Sequence, residues 1–223
     1  MTAIKLCGLT READIKNANE LKPEYIGFVF CESSRRNVSR QQAKRLKSLL
    51  DPKIKAVGVF VDAPVKQVEE LFEENIIDVA QLHGHEDENY IKELMDSDIP
   101  VIKVFKVEAK EQVKEAEQSS ADMILFDAGD GSGKVLNWQL LEDVKRPFIL
   151  AGGLNQENVS EAIEVARPYA VDVSSGIETD KLKDGRKMKE FVNAVRGDKQ
   201  VVKSKGRFGI HGGQCIPETL MNA

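Results

Sequence analysis

The chain repeats one local pattern along most of its 223 residues: a short apolar run, a turn, then an amphipathic stretch at helical spacing. The apolar runs read "AIKLCG", "YIGFVF", "IKAVGVFV", "DVAQLHG", "PVIKVF", "DMILFDA", "PFILAGG" and "YAVDVSSG". Continuous apolar runs of this length suit strands buried on both faces, whereas a half-exposed strand would alternate. Between most of them lie patterns such as "SRQQAKRLKSLL", "APVKQVEELFEEN", "DENYIKELMDS", "AKEQVKEAEQSS" and "NQENVSEAIEVAR". Helix starts carry their usual signals: Ser39 as an N-cap, Pro64 in a first turn, and Asn155 ahead of "QENV". A last helix fits "DGRKMKEFVNAVRG". Eight β-α units with short loops predict an α/β fold in which a parallel sheet closes into a (β/α)8 TIM barrel, as one domain over residues 1–197. An open doubly wound sheet is the alternative, and it ordinarily needs fewer strands.

Composition narrows the functional class. A net charge of −5 argues against broad binding to nucleic acid, which calls for a basic face. No apolar run approaches the roughly 18 residues that span a bilayer. The N-terminal "MTAIKLCGLTREADIK" lacks the apolar core of a signal peptide, so a cytoplasmic location is expected. Cys7, Cys31 and Cys215 are widely spaced and form no CxxC pair, which disfavours a disulfide framework or a structural zinc site. His83 and His85 in "LHGHED" would share a strand face, but no further ligands lie near them in the sequence.

If the barrel forms, the loops at the C-terminal ends of its strands converge on one face. Those strand ends carry Cys7 and Gly8, Phe30 with Arg35 and Arg36 just beyond, Asp62, Gln81 with His83, Asp127, Gly152 and Gly153, and Asp172 through Gly176. Gly152 and Gly153 would let backbone N–H groups approach an anion. Ser174, Ser175 and Gly176 would add hydroxyl and amide donors at a short helical turn. Loops seven and eight of such a barrel are its usual phosphate grip. Glycines that only make tight turns are the bland alternative.

The ordered set "IKLCGLT", "YIGFVF", "SSRRNVS", "VGVFV", "AQLHG", "LFDA" with "GSGK" and a Trp, "LAGGLNQENV" and "VDVSSGIE" resembles the N-(5'-phosphoribosyl)anthranilate isomerases of tryptophan biosynthesis, from Ile4 to about Gly197. The resemblance implies an Amadori rearrangement of a phosphorylated aminoaldose to an aminoketose, 1-(o-carboxyphenylamino)-1-deoxyribulose 5-phosphate, with no metal or organic cofactor. Asp127 matches the family's general acid and Cys7 its general base. Arg36 matches the residue that holds the anthranilate carboxylate, although adjacent Arg35 leaves the register open. Gln81 and His83 would line the pocket, and Asp172 would contact a substrate hydroxyl or orient Lys5. Lys5, two residues before Cys7, points to the same side of the strand and would favour the thiolate. A thiol of ordinary pKa is mostly protonated at neutral pH, so a lowered value would help. Gly131 and Gly133 would form a mobile loop over the site, with Trp138 beneath. Leu136 and Asn137 stand where Phe and Asp are expected, outside the proposed chemistry. The implied partner is a small phosphosugar; neither nucleic acid nor a membrane is expected, and association with other pathway enzymes is open.

Two competitors remain at this level. One is another phosphosugar barrel: an indole-3-glycerol-phosphate synthase would want lysine and glutamate at the strand ends, and a pentose-phosphate epimerase metal-binding His and Asp. The other is a catalytically silent barrel that binds a phosphorylated metabolite or a partner enzyme. Beyond the charged "DKQVVKSK", residues 205–223 resemble the extreme N-terminus of tryptophan synthase β chains, with Cys215 where Tyr is expected. Residues 198–223 are therefore read as a linker and a disordered tail, a remnant of a fusion in the sharper reading. They contain no pyridoxal-phosphate lysine and imply no synthase activity.

Overall fold

The computed structural model describes residues 1–127 and 136–197. Eight parallel strands close into a barrel in sequence order: β1 (Ala3–Cys7), β2 (Tyr25–Phe30), β3 (Lys55–Phe60), β4 (Val79–Leu82), β5 (Val101–Lys106), β6 (Met123–Asp127), β7 (Phe148–Leu150) and β8 (Ala170–Val173). Among the described residues seven α-helices wrap it: α1 (Glu12–Leu21), α2 (Arg40–Ser48), α3 (Val65–Glu73), α4 (Glu88–Asp96), α5 (Lys110–Gln118), α6 (Val159–Ala166) and α7 (Gly185–Arg196). The unit after β6 departs from the repeat, with a 3-10 turn, Trp138–Leu141, on the return to β7. After β8 come a 3-10 turn, Ser175–Ile177, and a small antiparallel pair, β9 (Glu178–Thr179) and β10 (Leu182–Lys183), which the apolar pattern did not announce because each strand is two residues long.

Strand alternation splits the buried residues into two shells. Leu6, Ile26, Phe28, Phe60, Leu82, Phe126, Leu150 and Val171 face outward and pack under the helices. Phe30 stacks on Phe60 at 5.4 Å, and Phe126 meets Phe148 edge-on at 5.3 Å. A smaller cluster, with Ala3, Val57, Val79, Ile102, Val104, Leu125, Ile149 and Ala170, fills the barrel interior. A parallel strand covered on both sides has to be apolar on both sides, which is why these strands read as runs.

Helix starts follow local chemistry. Ser39 accepts a hydrogen bond from the Gln42 amide at 3.1 Å, as expected of an N-cap. Pro64 stands immediately before α3, in extended conformation rather than within its first turn. Asn155 accepts from the Glu157 and Asn158 amides, at 2.8 and 3.1 Å, and so closes a turn; α6 begins only at Val159.

A buried ion pair outside the barrel interior holds the β3 and β4 loops to β5. Lys103 donates to Glu86 at 2.8 Å and to the Gly84 carbonyl at 2.9 Å. Glu86 also accepts from the Asp62 and Gly84 amides, both at 2.9 Å. With both side chains buried, removing one partner strands the other charge without solvent. Glu86→Ala is expected to lower the unfolding free energy by about 3–5 kcal/mol in urea denaturation. Adding Lys103→Met should recover part of that loss.

Candidate active site

The barrel's C-terminal mouth holds a cavity of about 620 Å³. Cys7, Arg36, Gln81, His83, Asp127, Gly152, Gly153, Asp172, Ser174 and Ser175, drawn from six strand ends and loops, all line it. These residues lie far apart in the sequence, and closure of the sheet is what brings them together. Val29, Val59 and Leu125 supply apolar wall between the polar groups, and Lys106 and Cys31 join the lining without having been singled out for a role.

Cys7 ends β1, and the cavity floor around it is built from charge. Lys5 and Asp172 sit in register on β1 and β8, and the Lys5 ammonium donates to Asp172 Oδ2 at 2.8 Å. Lys5 is completely buried and partners Asp172, and its charge opposes the effect of burial on the Cys7 thiol. The net effect nevertheless runs opposite to the lowered pKa that would help a base. Burial pushes the Cys7 thiol up, Lys5 and Lys183 oppose that, and Asp172 adds to it, so the thiol stays above its ordinary value. Burial also works against the Lys5 ammonium, but Asp172 and Cys7 outweigh it and hold Lys5 protonated. Gly27 pairs with Cys7 across the strands, and a Cβ there would come within 2.7 Å of the sulfur. The β2 glycine makes room for the thiol.

Asp127 ends β6 and is partly exposed, with Oδ2 at 3.4 Å from His83 Nε2. His83 therefore belongs to the cavity, beside the candidate acid. His85 does not share its face: its ring lies in the open against Asp62, with Nδ1 at 3.0 Å from Oδ2. Asp62 thus serves the loop and not the cavity. No group of three or more His, Cys, Asp or Glu among the described residues is placed to hold a metal ion. Gln81 is buried, and its Oε1, like Asp172 Oδ1, has no hydrogen-bond partner among the described residues. Buried acceptors of this kind, in a polar cavity, are suited to hydroxyl donors.

Beside Cys7, the loops after β7 and β8 form a cradle. Gly152 and Gly153 adopt positive φ of 86° and 66°, a conformation that costs glycine little. Asn158 holds the Gly153 carbonyl at 3.0 Å. Ser174 donates to the Cys7 carbonyl at 3.2 Å. Gly176, expected among the phosphate donors, does not line the cavity. A Cβ there would fall 2.0 Å from the Leu154 carbonyl, so what the glycine provides is close contact between the two loops.

The β8 loop also contributes two residues that received no role from the sequence, Glu178 and Lys183. Glu178 accepts from Arg36 Nε at 2.7 Å and Nη2 at 3.1 Å, from Arg35 at 2.5 Å and from Lys183 at 2.8 Å. Burial would push the Glu178 carboxyl up, but its bonds from Arg36 and Lys183 outweigh this and pull it down to about 2. Lys183 donates onward to the Ser174 carbonyl at 2.8 Å and hydroxyl at 3.2 Å. The same contacts settle the choice between neighbouring arginines: Arg36 lines the cavity, while Arg35 reaches away to the Lys181 carbonyl at 2.8 Å. Glu178 stands inside the quoted "VDVSSGIE", but neither its burial nor its approach to the arginine pair can be read from that stretch. The proposed lid glycines Gly131 and Gly133 lie outside the described residues; Trp138 is half-buried against the outer core.

An α/β barrel whose mouth combines a thiol, a carboxyl group, an arginine and a glycine-serine cradle defines an acid–base enzyme of phosphorylated small molecules. The comparisons with known proteins narrow that class. Residues 4–194 match the family described as PRAI, N-(5'phosphoribosyl)anthranilate (PRA) isomerase. The chain is 44% identical over 204 residues to the N-(5'-phosphoribosyl)anthranilate isomerase of Thermoanaerobacter pseudethanolicus, an alignment covering 88% of this chain and 99% of that one. The crystal structure of phosphoribosyl anthranilate isomerase from Thermotoga maritima superposes with a TM-score of 0.82 at 35% identity, covering 88% of this chain and 100% of the other. A further phosphoribosyl anthranilate isomerase structure, in complex with reduced 1-(o-carboxyphenylamino)-1-deoxyribulose 5-phosphate, matches at TM-score 0.80 and 33% identity, with 88% and 100% coverage. The chain belongs to the N-(5'-phosphoribosyl)anthranilate isomerase family.

The charge arrangement around Cys7 yields a direct test. In Lys5→Met the thiol loses its nearest cation, and its titration midpoint should move further up. The pH profile of iodoacetamide alkylation reads this, and an unshifted midpoint would show that Lys5 does not stabilise the thiolate.

Proposed function

We propose that Asp127 and Cys7 act as general acid and general base in the isomerisation of N-(5'-phosphoribosyl)anthranilate to 1-(o-carboxyphenylamino)-1-deoxyribulose 5-phosphate, a step of L-tryptophan biosynthesis. The observation that carries this reading is that both groups line one cavity, which Arg36 and the two cradle loops also line. Asp127 donates a proton to the ribose ring oxygen as the bond from that oxygen to C1′ breaks. The anilino nitrogen lone pair forms the C=N bond, leaving a protonated Schiff base. The Cys7 thiolate then takes the C2′ proton, and the released electron pair makes the enolamine, which tautomerises to the ketone. Each step needs one positioned proton donor or acceptor and no redox partner.

The remaining polar groups hold the substrate by its ends. The N–H groups of Gly152 and Gly153, with Ser174 and Ser175, take the phosphate, and Gly176 supports that grip by bringing the loops together. Arg36 takes the anthranilate carboxylate through a planar two-point contact. Asp172 Oδ1 and Gln81 accept from sugar hydroxyls, and His83 orients the Asp127 carboxyl. Burial raises the Cys7 thiol, so the acting base is the fraction that has already released its proton to solvent, and the charges of Lys5 and Lys183 favour that thiolate.

The division of the chain follows from where α7 ends. Its last residue, Arg196, ties back to the Leu21 and Lys22 carbonyls, and Gly197 closes the helix at positive φ. We take residues 1–197 as the catalytic unit; residues 198–223 lie outside the described residues, and with them the tail's likeness to tryptophan synthase β. No helix among the described residues is long and apolar enough to cross a membrane, which is compatible with work in the cytoplasm on a small phosphosugar.

Turnover is followed by the loss of substrate fluorescence. Cys7→Ala and Asp127→Asn should each lower kcat by at least about 100-fold, the lower end of what a positioned acid or base supplies. Near-normal turnover in either variant would remove that residue from the mechanism. A chain ending at Gly197 should retain wild-type kcat and KM, and a large fall in rate would give the tail a catalytic role.

A further inference from the structure

Glu178 meets Arg36 from the side away from the cavity. Its carboxylate takes Nε and one N–H of Nη2, and it does not itself line the cavity. Arg36 does line it, and among the described residues no acceptor contacts Nη1. The guanidinium has five N–H groups in one plane, so a carboxylate on the Nε–Nη2 edge leaves the Nη1–Nη2 edge for a second one. The charges allow this double duty. Arg35, Arg36 and Lys183 converge on the single carboxylate of Glu178, so one negative charge is set against three positive ones. Arg36 keeps its power to attract an anion even while paired. The Glu178 side chain is only 6% exposed, so the clamp is not loosened by water, as a surface pair would be.

We propose that Glu178 is a positioning residue, which holds the Arg36 guanidinium in the plane and orientation where its outer edge meets the substrate's carboxylate. This deepens the reading of Arg36 given above and rests on it. Without the clamp, a long side chain with several rotatable bonds has to be ordered by the substrate itself, and that cost appears in binding. Lys183 completes the device: it closes the β9–β10 hairpin onto Glu178 and reaches Ser174, so the carboxylate grip and the cradle share one ammonium.

The test separates the two ends of the substrate. In Glu178→Gln, KM should rise at least tenfold with kcat within about threefold, because the reacting atoms are not touched. Competitive inhibition by free anthranilate should weaken by a similar factor, while inhibition by inorganic phosphate stays as in wild type. Anthranilate and phosphate weakening together would mean general loosening of the mouth and would overturn the proposal, as would an unchanged KM. A double-mutant cycle with Arg36→Ala decides whether Glu178 works through the arginine: it should add almost nothing to KM in that background, and full additivity would overturn the proposal. If Arg36→Ala alone leaves KM and anthranilate inhibition unchanged, the reading of Arg36 itself fails, a different outcome from an inert Glu178→Gln. Should the single variant not fold because Lys183 is left buried and unpaired, Glu178→Gln with Lys183→Met restores the charge balance. The anthranilate and phosphate measurements, each referred to Lys183→Met alone, then decide in the same way.

Discussion

The seam between β1 and β8 is the joint on which the molecule depends, and the Lys5–Asp172 pair lies across it. Closing a parallel sheet puts these two side chains inside the barrel, where neither charge has enough water. Each becomes tolerable through the other: Asp172 holds the buried ammonium protonated, and the ammonium gives the carboxylate a donor at 2.8 Å. A hydrophobic pair of similar volume would fill the same space. The ionic pair also sets the field two residues further along β1, at Cys7, and leaves one oxygen of the cavity-lining Asp172 without a partner among the described residues.

From this seam a chain of polar contacts runs outward. Ser174 bonds the Cys7 carbonyl, Lys183 bonds Ser174, Glu178 accepts from Lys183, and Arg36 is held by Glu178. The catalytic strand, the cradle after β8 and the arginine after β2 are thereby tied together by hydrogen bonds as well as by the sheet. Cys7 and Lys183 are buried and the Glu178 side chain nearly so, which limits the screening of the links they make. Gly27 and Gly176 serve the same organisation from the backbone side, one clearing space for the thiol and the other letting two loops touch.

Much of this was legible beforehand. Apolar runs of strand length, repeated eight times between helical patterns, leave few ways to bury every strand on both faces, and the barrel is one of them. The strand ends "LCG", "LHG" and "LFDA" then fall on one face by topology alone. Residues outside the repeat were not legible. The 3-10 turn Trp138–Leu141 ahead of β7 and the β9–β10 hairpin are both too short to show a period. His83 and His85 look equivalent at spacing two, yet the strand ends at Leu82 and the backbone turns between them, sending one to the cavity and the other to solvent. Gly176 looked like an anion donor because glycine near serine often is; its contact with Leu154 depends on a loop 22 residues away.

What the sequence determined by itself was the order of strands and helices and the chemical identity of the groups at the barrel mouth, because periodicity and strand-end position are local properties of the chain. Only the tertiary structure decided which arginine faces the cavity, that burial outweighs Lys5 at the Cys7 thiol, and that Glu178 and Lys183 stand behind the site. Those outcomes depend on desolvation and on contacts between residues as far apart as Arg36 and Glu178. Neither is written in any single stretch of sequence.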